Sequence, residues 1–261
     1  MPFADVNGQT IHYVDSGGEG PAILLSHGFG MGWEMWSPQV GPLTDAGWRV
    51  VTYDERGWGQ TLFTEPFTYW DLAADAVALL DHLGVDSAVL AGMSQGGFLT
   101  LRVALTAPDR VRAMVLVDTE AGSLNAEEYA QFNGLFDAAL AEGLAGSVGD
   151  MLQSVVFGPG FDASLWRAKW NSKPVSAWAA AKECLFERDS ILDRLGEITC
   201  PALVLHGDVD AAIPLERGRA TADGLGGPTT FVTVPGAGHS SNLENPDVVN
   251  AALLEFLAGL A

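Results

Sequence analysis

Short apolar runs alternate with longer amphipathic stretches along most of the 261-residue chain. The apolar runs have the length of buried strands, and the stretches between them carry apolar residues at helical spacing. Strands that are apolar on both faces and separated by helices predict a mostly parallel sheet covered by helices on both sides. The predicted strands are Ala22–Ser26, Arg49–Tyr53, Ala88–Met93, Ala113–Val117, Ala202–Leu205 and Thr230–Val234. The predicted helices between and after them are Asp71–Leu83, Gln95–Ala107, Leu215–Ala222 and Val248–Leu260.

The N-terminal segment has a different pattern. Two short runs, Phe3–Val6 and Thr10–Val14, flank Asn7-Gly8. An Asn-Gly pair between two such runs is a strong signal for a two-residue turn. We therefore expect a β-hairpin ahead of the parallel strands.

Residues 119–199 interrupt the alternation, because no convincing strand lies among them. The alternation of strands and helices resumes at Pro201, so the parts of the chain on either side of the interruption belong to one sheet. The sequence thus predicts a core formed by residues 1–118 and 200–261, with an all-helical cap inserted at 119–199. A separate small helical domain is the alternative. The helical patterns of the insertion lie near Ala126–Leu144, Val148–Val155, Ala163–Lys169 and Val175–Arg188.

The composition limits the possible partners. The chain has 33 acidic and 13 basic residues, a net charge of −20, and 48% hydrophobic residues. Nucleic acid is not expected as a partner because phosphate backbones recruit Lys and Arg, and an acidic surface repels anionic membranes. The longest apolar runs are strand-sized, so no transmembrane helix is predicted. The two cysteines, Cys184 and Cys200, and an N-terminus without signal-peptide features predict reduced thiols in a cytoplasmic protein.

The strongest chemical signal is the segment Gly92-Met93-Ser94-Gln95-Gly96, which matches the pattern G-x-S-x-G. A predicted strand leads directly into it and a predicted helix follows, which is the context that a nucleophile elbow requires. Glycines in such a tight turn leave room for backbone that larger side chains would strike. Ser94 is therefore the candidate nucleophile. A glycine-rich turn with an idle serine is the alternative.

A serine hydroxyl is a poor nucleophile and needs a base. His239 is the predicted base, because it lies in a glycine-rich loop between the last strand and the last helix, where it can fold back over the strand ends. The remaining histidines are interpreted as structural or surface residues: His12, His27, His82 and His206.

The base in turn needs an orienting carboxylate. Asp210 is preferred, because it follows a predicted strand and precedes Pro214, which starts the next helix. Asp208 is better explained as a turn residue that binds local backbone N–H groups. Asp118, at the end of another strand, is the third candidate.

Acyl transfer also needs two backbone donors for an oxyanion. One is the N–H of Gln95, directly after the candidate nucleophile. The other is expected in the glycine-rich loop after the first parallel strand, where Phe29 lies between Gly28 and Gly30. This loop lacks the signatures of a phosphate-binding loop and of a dinucleotide fingerprint, and no zinc or EF-hand spacing occurs. No cofactor and no metal are predicted.

The order Ser94, Asp210, His239, the loop His27-Gly28-Phe29-Gly30, the segment Asp54–Gly59 and the helical insertion together resemble the α/β-hydrolase superfamily. The resemblance covers essentially the whole chain. Within the superfamily, the chain resembles small hydrolases around 3-oxoadipate enol-lactonases, cofactor-free haloperoxidases and related carboxylesterases.

The chain departs from these relatives in the turn after the second parallel strand. Relatives often have His in the pattern D-x-R-G-x-G-x-S where this chain has Trp58, and Thr61 replaces the last Ser. Both positions are expected to shape the turn. Serine as the nucleophile separates the chain from haloalkane dehalogenases and epoxide hydrolases, which use Asp there.

The resemblance implies a cofactor-free serine hydrolase that cleaves a carboxylic ester or lactone through an acyl-enzyme. Two alternatives stay open. The same triad serves C–C bond hydrolysis and perhydrolysis, which the fold does not separate from ester cleavage. A ligand-binding receptor on the hydrolase fold is the non-enzymatic alternative. The oligomeric state is not predicted.

Aromatic and basic residues suggest where a small-molecule substrate binds. Trp33 follows the oxyanion loop, and Trp166 and Trp170 are one helical turn apart in the insertion. They are expected either to roof an apolar pocket or to form ordinary core packing. Residues 113–166 contain no Lys or Arg, and basic residues return at Arg167. Our hypothesis is that Arg167 binds a substrate carboxylate; a solvated helix face is the alternative.

Overall fold

The computed structural model describes residues 2–63 and 65–260. Within them, eight strands form a single sheet: β1 (Phe3–Val6), β2 (Gln9–Asp15), β3 (Ala22–Ser26), β4 (Arg49–Tyr53), β5 (Ala88–Met93), β6 (Val111–Val117), β7 (Ala202–Gly207) and β8 (Thr229–Val234). Their order across the sheet is β1-β2-β4-β3-β5-β6-β7-β8. Strand β2 pairs antiparallel with both β1 and β4, and the strands from β4 to β8 in this order run parallel to one another. The predicted mostly parallel sheet is confirmed.

The N-terminal hairpin forms as predicted. Val6 pairs with Gln9 across the turn, and both Asn7 and Gly8 have positive φ angles, of 47° and 73°. Asn and Gly tolerate this left-handed conformation better than other residues do. Because β2 also pairs with β4, the hairpin extends the sheet at one edge.

Helices cover both faces of the central strands. Every residue of β3, β5 and β7 is buried, and successive strand residues point to opposite faces. The helices are α1 (Ser37–Asp45), α2 (Tyr69–His82), α3 (Gln95–Thr106), α4 (Ala126–Glu142), α5 (Ser147–Val156), α6 (Ser164–Trp170), α7 (Ala179–Phe186), α8 (Leu215–Gly224), α9 (Ser241–Glu244) and α10 (Pro246–Ala258). In the covering layers, α2 packs against α3, and α1 packs against α10.

Helix α1 has no counterpart among the predicted elements. It contains both Gly41 and Pro42 in its interior, residues that oppose helix formation there. Within this helix only Gln39 and Leu43 are buried, so its apolar pattern is faint. Tertiary packing against α10 therefore stabilises α1, although the sequence of α1 has a low intrinsic propensity to form a helix.

Helices α4 to α7 lie between β6 and β7, and the structure places no strand in this part of the described chain. The all-helical character expected for the insertion therefore agrees with the observed elements. The division into a core at 1–118 and 200–261 and a cap at 119–199 stays a prediction. Across residues 2–63 and 65–260, every helix is too short or too polar to cross a lipid bilayer.

A buried ion pair joins α2 to the loop after β4. Arg56 donates hydrogen bonds through Nε and an NH2 group to the two carboxylate oxygens of Asp75, and the amide of Asn7 donates to the same carboxylate. The side chains of Arg56 and Asp75 are 8% and 2% exposed. Loss of one partner from such a pair leaves the other charge buried without compensation.

We expect Asp75→Ala to lower the free energy of unfolding by about 3 to 5 kcal/mol, measured by urea denaturation. Asp81→Ala on the same helix is the matched control. Asp81 pairs with Arg110, but its side chain is 64% exposed, so the expected loss is below about 1 kcal/mol. Equal losses in the two variants would contradict a stabilising role for the buried pair.

Candidate active site

The segment around Ser94 forms a sharp turn between a strand and a helix. Strand β5 ends at Met93, α3 begins at Gln95, and Ser94 between them has φ 50° and ψ −114°. A positive φ is uncommon for a residue other than glycine and indicates strain. A Cβ atom at Gly92 would strike the carbonyl of Gly96, and one at Gly96 would strike the carbonyl of Ser26. The two glycines of the motif are therefore sterically required.

The structure brings the three predicted triad residues together. His239, in the loop after β8, has its Nε2 2.9 Å from the Oγ of Ser94 and its Nδ1 2.8 Å from Oδ2 of Asp210. A neutral imidazole with its proton on Nδ1 donates to Asp210 and accepts from the serine hydroxyl. This hydrogen-bond order is the one that a serine nucleophile and its base require.

Two sets of contacts fix the carboxylate of Asp210. Its Oδ1 accepts from the backbone N–H groups of Ala212 and Ile213, at 2.8 and 2.9 Å. Its Oδ2 lies beside both His239 and His206. Burial opposes ionisation of Asp210, but the two neighbouring histidines outweigh burial and hold its pKa below its ordinary value. Asp210 is therefore ionised at neutral pH.

The two other candidate carboxylates bind backbone instead. Asp208 accepts from the N–H of Gly236 at 2.7 Å. Asp118 is fully buried and accepts from the N–H groups of Gly207 and Ser241, both at 2.8 Å. Burial and the nearby carboxylate of Asp210 raise the pKa of Asp118 to about 6. Asp118 thus connects β6 to the strand end and loop that carry Asp210 and His239.

A cluster behind the triad was not predicted from the sequence. Ligand-type atoms of Asp118, His206 and Asp210 all lie within 4.8 Å of one another. Such spacing suits a metal ion, but each group is engaged within the protein, since His206 Nε2 lies 2.9 Å from the carbonyl of Ile213. We interpret the cluster as a hydrogen-bond network that positions Asp210.

The backbone N–H groups of Phe29 and Gln95 stay the predicted oxyanion donors, and within residues 2–63 and 65–260 both are free to bind a ligand. Gln95 is the first residue of α3, and neither its backbone N–H nor that of Phe29 donates to an acceptor among the described residues. Buried His27 orders the loop before Phe29, since its Nδ1 lies 2.8 Å from the carbonyl of Gly28 and its Nε2 accepts from the N–H of Glu55. Burial lowers the pKa of His27, which keeps this histidine neutral.

The side chain of Gln95 makes a contact that could not be predicted from the sequence. Its Nε2 donates to Oε2 of Glu55 at 2.6 Å. Glu55 is 1% exposed, and its Oε1 has no partner among the described residues. Burial raises the pKa of Glu55 well above its ordinary range and so favours the neutral carboxyl. An acid in the turn after β4 would ordinarily be taken for a surface residue.

A cavity of about 130 Å³ opens at Ser94 and His239. Its walls are mostly apolar and come from both the core and the helical insertion, as small-molecule sites usually require. The insertion contributes Phe132, Leu135, Phe136, Val155 and Trp178, among others. The signal for the α4 residues was present in the sequence, since apolar positions 132, 135, 136 and 139 follow helical spacing, but a core-facing stripe has the same pattern.

None of the four predicted substrate-binding residues lines this cavity, so their role in substrate binding stays a prediction. Trp33 and Trp170 line a second, more polar cavity of about 190 Å³. Trp170 donates from Nε1 to the carbonyl of Gly30 at 2.8 Å, which anchors the insertion to the oxyanion loop. Trp166 is 3% exposed. Arg167 pairs with Asp150 at 2.6 Å and also donates to backbone carbonyls between α4 and α5.

The two charged side chains that do line the cavity neutralise each other. Arg188 donates to Oε1 of Glu120 at 2.7 Å, and the two side chains are 2% and 4% exposed. Arg217 also contacts Glu120, at 3.2 Å. The guanidinium of Arg188 lies 4.6 Å from the centre of the Phe98 ring, which lines the same cavity. The cavity therefore presents a paired cation rather than a free one.

A model of the alpha/beta hydrolase fold matches residues 21–246. The chain belongs to this family. The predicted resemblance is thus confirmed at the level of the superfamily, and the eight-stranded sheet is the alpha/beta hydrolase fold.

Individual alpha/beta hydrolases align over nearly the full length of the chain. A thermophilic esterase from Thermogutta terrifontis has a TM-score of 0.88 at 28% identity, covering 99% of this chain and 98% of the esterase. The enol-lactonase from Burkholderia xenovorans LB400 also has a TM-score of 0.88 at 28% identity, covering 98% and 100%. A non-heme haloperoxidase from Rhodococcus erythropolis is 29% identical, covering 98% and 99%.

Proposed function

We propose that the protein is a serine hydrolase that cleaves neutral carboxylic esters through an acyl-enzyme. The observation that carries the proposal is the chain of contacts from Ser94 through His239 to Asp210, of which Ser94 and His239 line an apolar cavity. The similarity to an esterase and an enol-lactonase supports this bond class.

In the first half-reaction, the Oγ of Ser94 attacks the ester carbonyl while Nε2 of His239 takes the hydroxyl proton. The carbonyl oxygen becomes an oxyanion, which accepts from the backbone N–H groups of Phe29 and Gln95. The C–O bond then breaks, and His239 gives its proton to the departing alcohol. Asp210 stabilises the imidazolium and keeps the ring oriented throughout. Water, activated by His239, releases the acid and restores Ser94.

The pairing of Arg188 with Glu120 favours a neutral substrate over an anionic one. A substrate carboxylate at Arg188 would have to displace or approach the carboxylate of Glu120, and like charges in a buried site repel strongly. Arg167, the cation that the sequence suggested for this role, is engaged with Asp150 outside the cavity. Lactones remain within the proposed class if they carry no charge.

Turnover of p-nitrophenyl acetate tests the proposal. We expect steady release of p-nitrophenol, preceded by a burst equal to the enzyme concentration if deacylation is the slower step. Dimethyl succinate and monomethyl succinate test the preference for a neutral substrate. The neutral diester is expected to have a higher kcat/KM than the anionic monoester. Stoichiometric release without turnover would support a receptor instead, and selective cleavage of a β-diketone would support C–C bond hydrolysis.

The pH profile is expected to report His239. Burial disfavours the imidazolium of His239, but the carboxylate of Asp210 outweighs burial and raises the pKa of His239 above its ordinary value of 6.5. The base must be neutral to accept the serine proton. We therefore expect kcat/KM for a neutral ester to fall about tenfold per pH unit below an apparent pKa higher than 6.5, measured between pH 5 and 9. An acid limb centred below 6.5 would contradict this assignment.

A further inference from the structure

An apolar groove of about 350 Å³ lies between helices α4 and α5 on the outside of the insertion. Phe132, Leu135 and Ala138 of α4 form one side, and Val148, Met151 and Val155 of α5 belong to the other. Met151 is 58% exposed. Exposed apolar surface that forms a groove indicates a binding function more often than scattered apolar residues do.

The groove and the cavity at Ser94 share part of their walls. Phe132, Leu135 and Val155 line both. These shared side chains form the wall between the groove and the cavity. All three are only partly buried, and side chains that are not tightly packed change rotamer without unfolding of the helix that carries them.

The charge around the groove selects its occupant. Among the described residues, the walls of the groove include the carboxylate of Glu142 and no Lys or Arg. An anionic amphiphile would be repelled there, whereas a neutral alkyl chain would bury apolar surface along the whole groove. Met151 adds a flexible thioether that adapts to chains of different shape.

We propose that the groove and the cavity form one channel that binds an unbranched alkyl chain of a neutral ester whose carbonyl lies at Ser94. This inference rests on the proposed function and specifies its substrate class. The alkyl chain belongs to the acyl part or to the alcohol part of the ester, and two substrate series distinguish these sources. The first is p-nitrophenyl esters from acetate to decanoate, and the second is alkyl acetates from butyl to decyl.

In one of the two series, kcat/KM is expected to rise about threefold per added methylene until the chain fills the channel. Leu135→Trp closes the junction from α4, and Val155→Phe closes it from α5. Each variant is expected to lower the ratio of kcat/KM for the ten-carbon ester to that for the shortest ester at least about tenfold. Leu140→Trp is the matched control, because Leu140 lies on α4, is 52% exposed and lines neither the groove nor the cavity. This control is expected to keep the wild-type ratio.

Binding of 1-decanol provides a readout that does not need turnover. We expect 1-decanol to raise the Tm of the wild-type protein and of Leu140→Trp, and to raise the Tm of Leu135→Trp and Val155→Phe much less.

Cleavage of acetate esters with no chain-length dependence in either series would overturn the channel while leaving the proposed function intact. Failure of all esters to react would overturn the proposed function, and the 1-decanol experiment would then decide the channel: no shift in the wild-type Tm, or equal shifts in all four proteins, would overturn it.

Discussion

Replacement of Ser94 by alanine is expected to lower kcat for p-nitrophenyl acetate by a factor on the order of 10⁶. The variant keeps the turn but loses the Oγ atom that lies 2.9 Å from Nε2 of His239. The oxyanion donors and the cavity remain, so substrate binding should change little. Steady-state kinetics measure the loss, and the absence of an acyl-enzyme by mass spectrometry identifies the step that is lost.

Ser190→Ala is the matched control for this experiment. Ser190 is exposed and lies outside the cavity at Ser94, so its loss should leave the rate unchanged. Both variants should show the wild-type circular dichroism spectrum and a similar Tm. Retention of even a tenth of the wild-type rate by a folded Ser94→Ala protein would exclude Ser94 as the nucleophile.

The arrangement around Ser94 could be predicted because local sequence determines it. A turn this tight at Ser94 requires glycine at positions 92 and 96, and these glycines are visible without any structure. His239 and Asp210 could be placed because each follows a strand of the parallel part of the sheet, and parallel strands deliver their C-terminal ends to one edge of the sheet. The same rule located the loop that contains Phe29.

The substrate cavity could not be predicted in the same way, because its walls depend on how the helices of the insertion pack. Trp170 was a candidate for substrate binding because it is a large aromatic residue of the insertion. In the structure, its indole N–H donates to the carbonyl of Gly30 and anchors the insertion there. Arg167 and Arg188 look alike in the sequence, and only the structure shows that Arg188 reaches the cavity while Arg167 pairs with Asp150. The contact of Glu55 with Gln95 joins two segments that lie 40 residues apart.

Asp210→Asn is expected to lower kcat/KM by about 10⁴ with little change in the fold. The amide of an asparagine would place an NH2 group or a neutral oxygen at the position where Oδ2 now lies 2.8 Å from Nδ1 of His239. An NH2 group there favours the tautomer that carries its proton on Nε2, which does not accept the proton of Ser94. The imidazolium of the transition state also loses its counter-charge. The measurement is kcat/KM for a neutral ester at pH 8.

Asp118→Asn and Asp208→Asn separate this role from a general effect of removing a carboxylate near the strand ends. Among the described residues, the side chain of Asp208 accepts only from the N–H of Gly236, so its variant should retain most activity. Asp118 holds Gly207 and Ser241 through two oxygens, of which an asparagine keeps one as an acceptor. Asp118→Asn should therefore lower the Tm more than Asp208→Asn does, yet reduce kcat/KM far less than Asp210→Asn. Asp118 also raises the pKa of His239, from a greater distance than Asp210 does. If Asp118→Asn and Asp210→Asn lowered kcat/KM equally, both buried carboxylates, and not Asp210 alone, would supply the charge that orients His239.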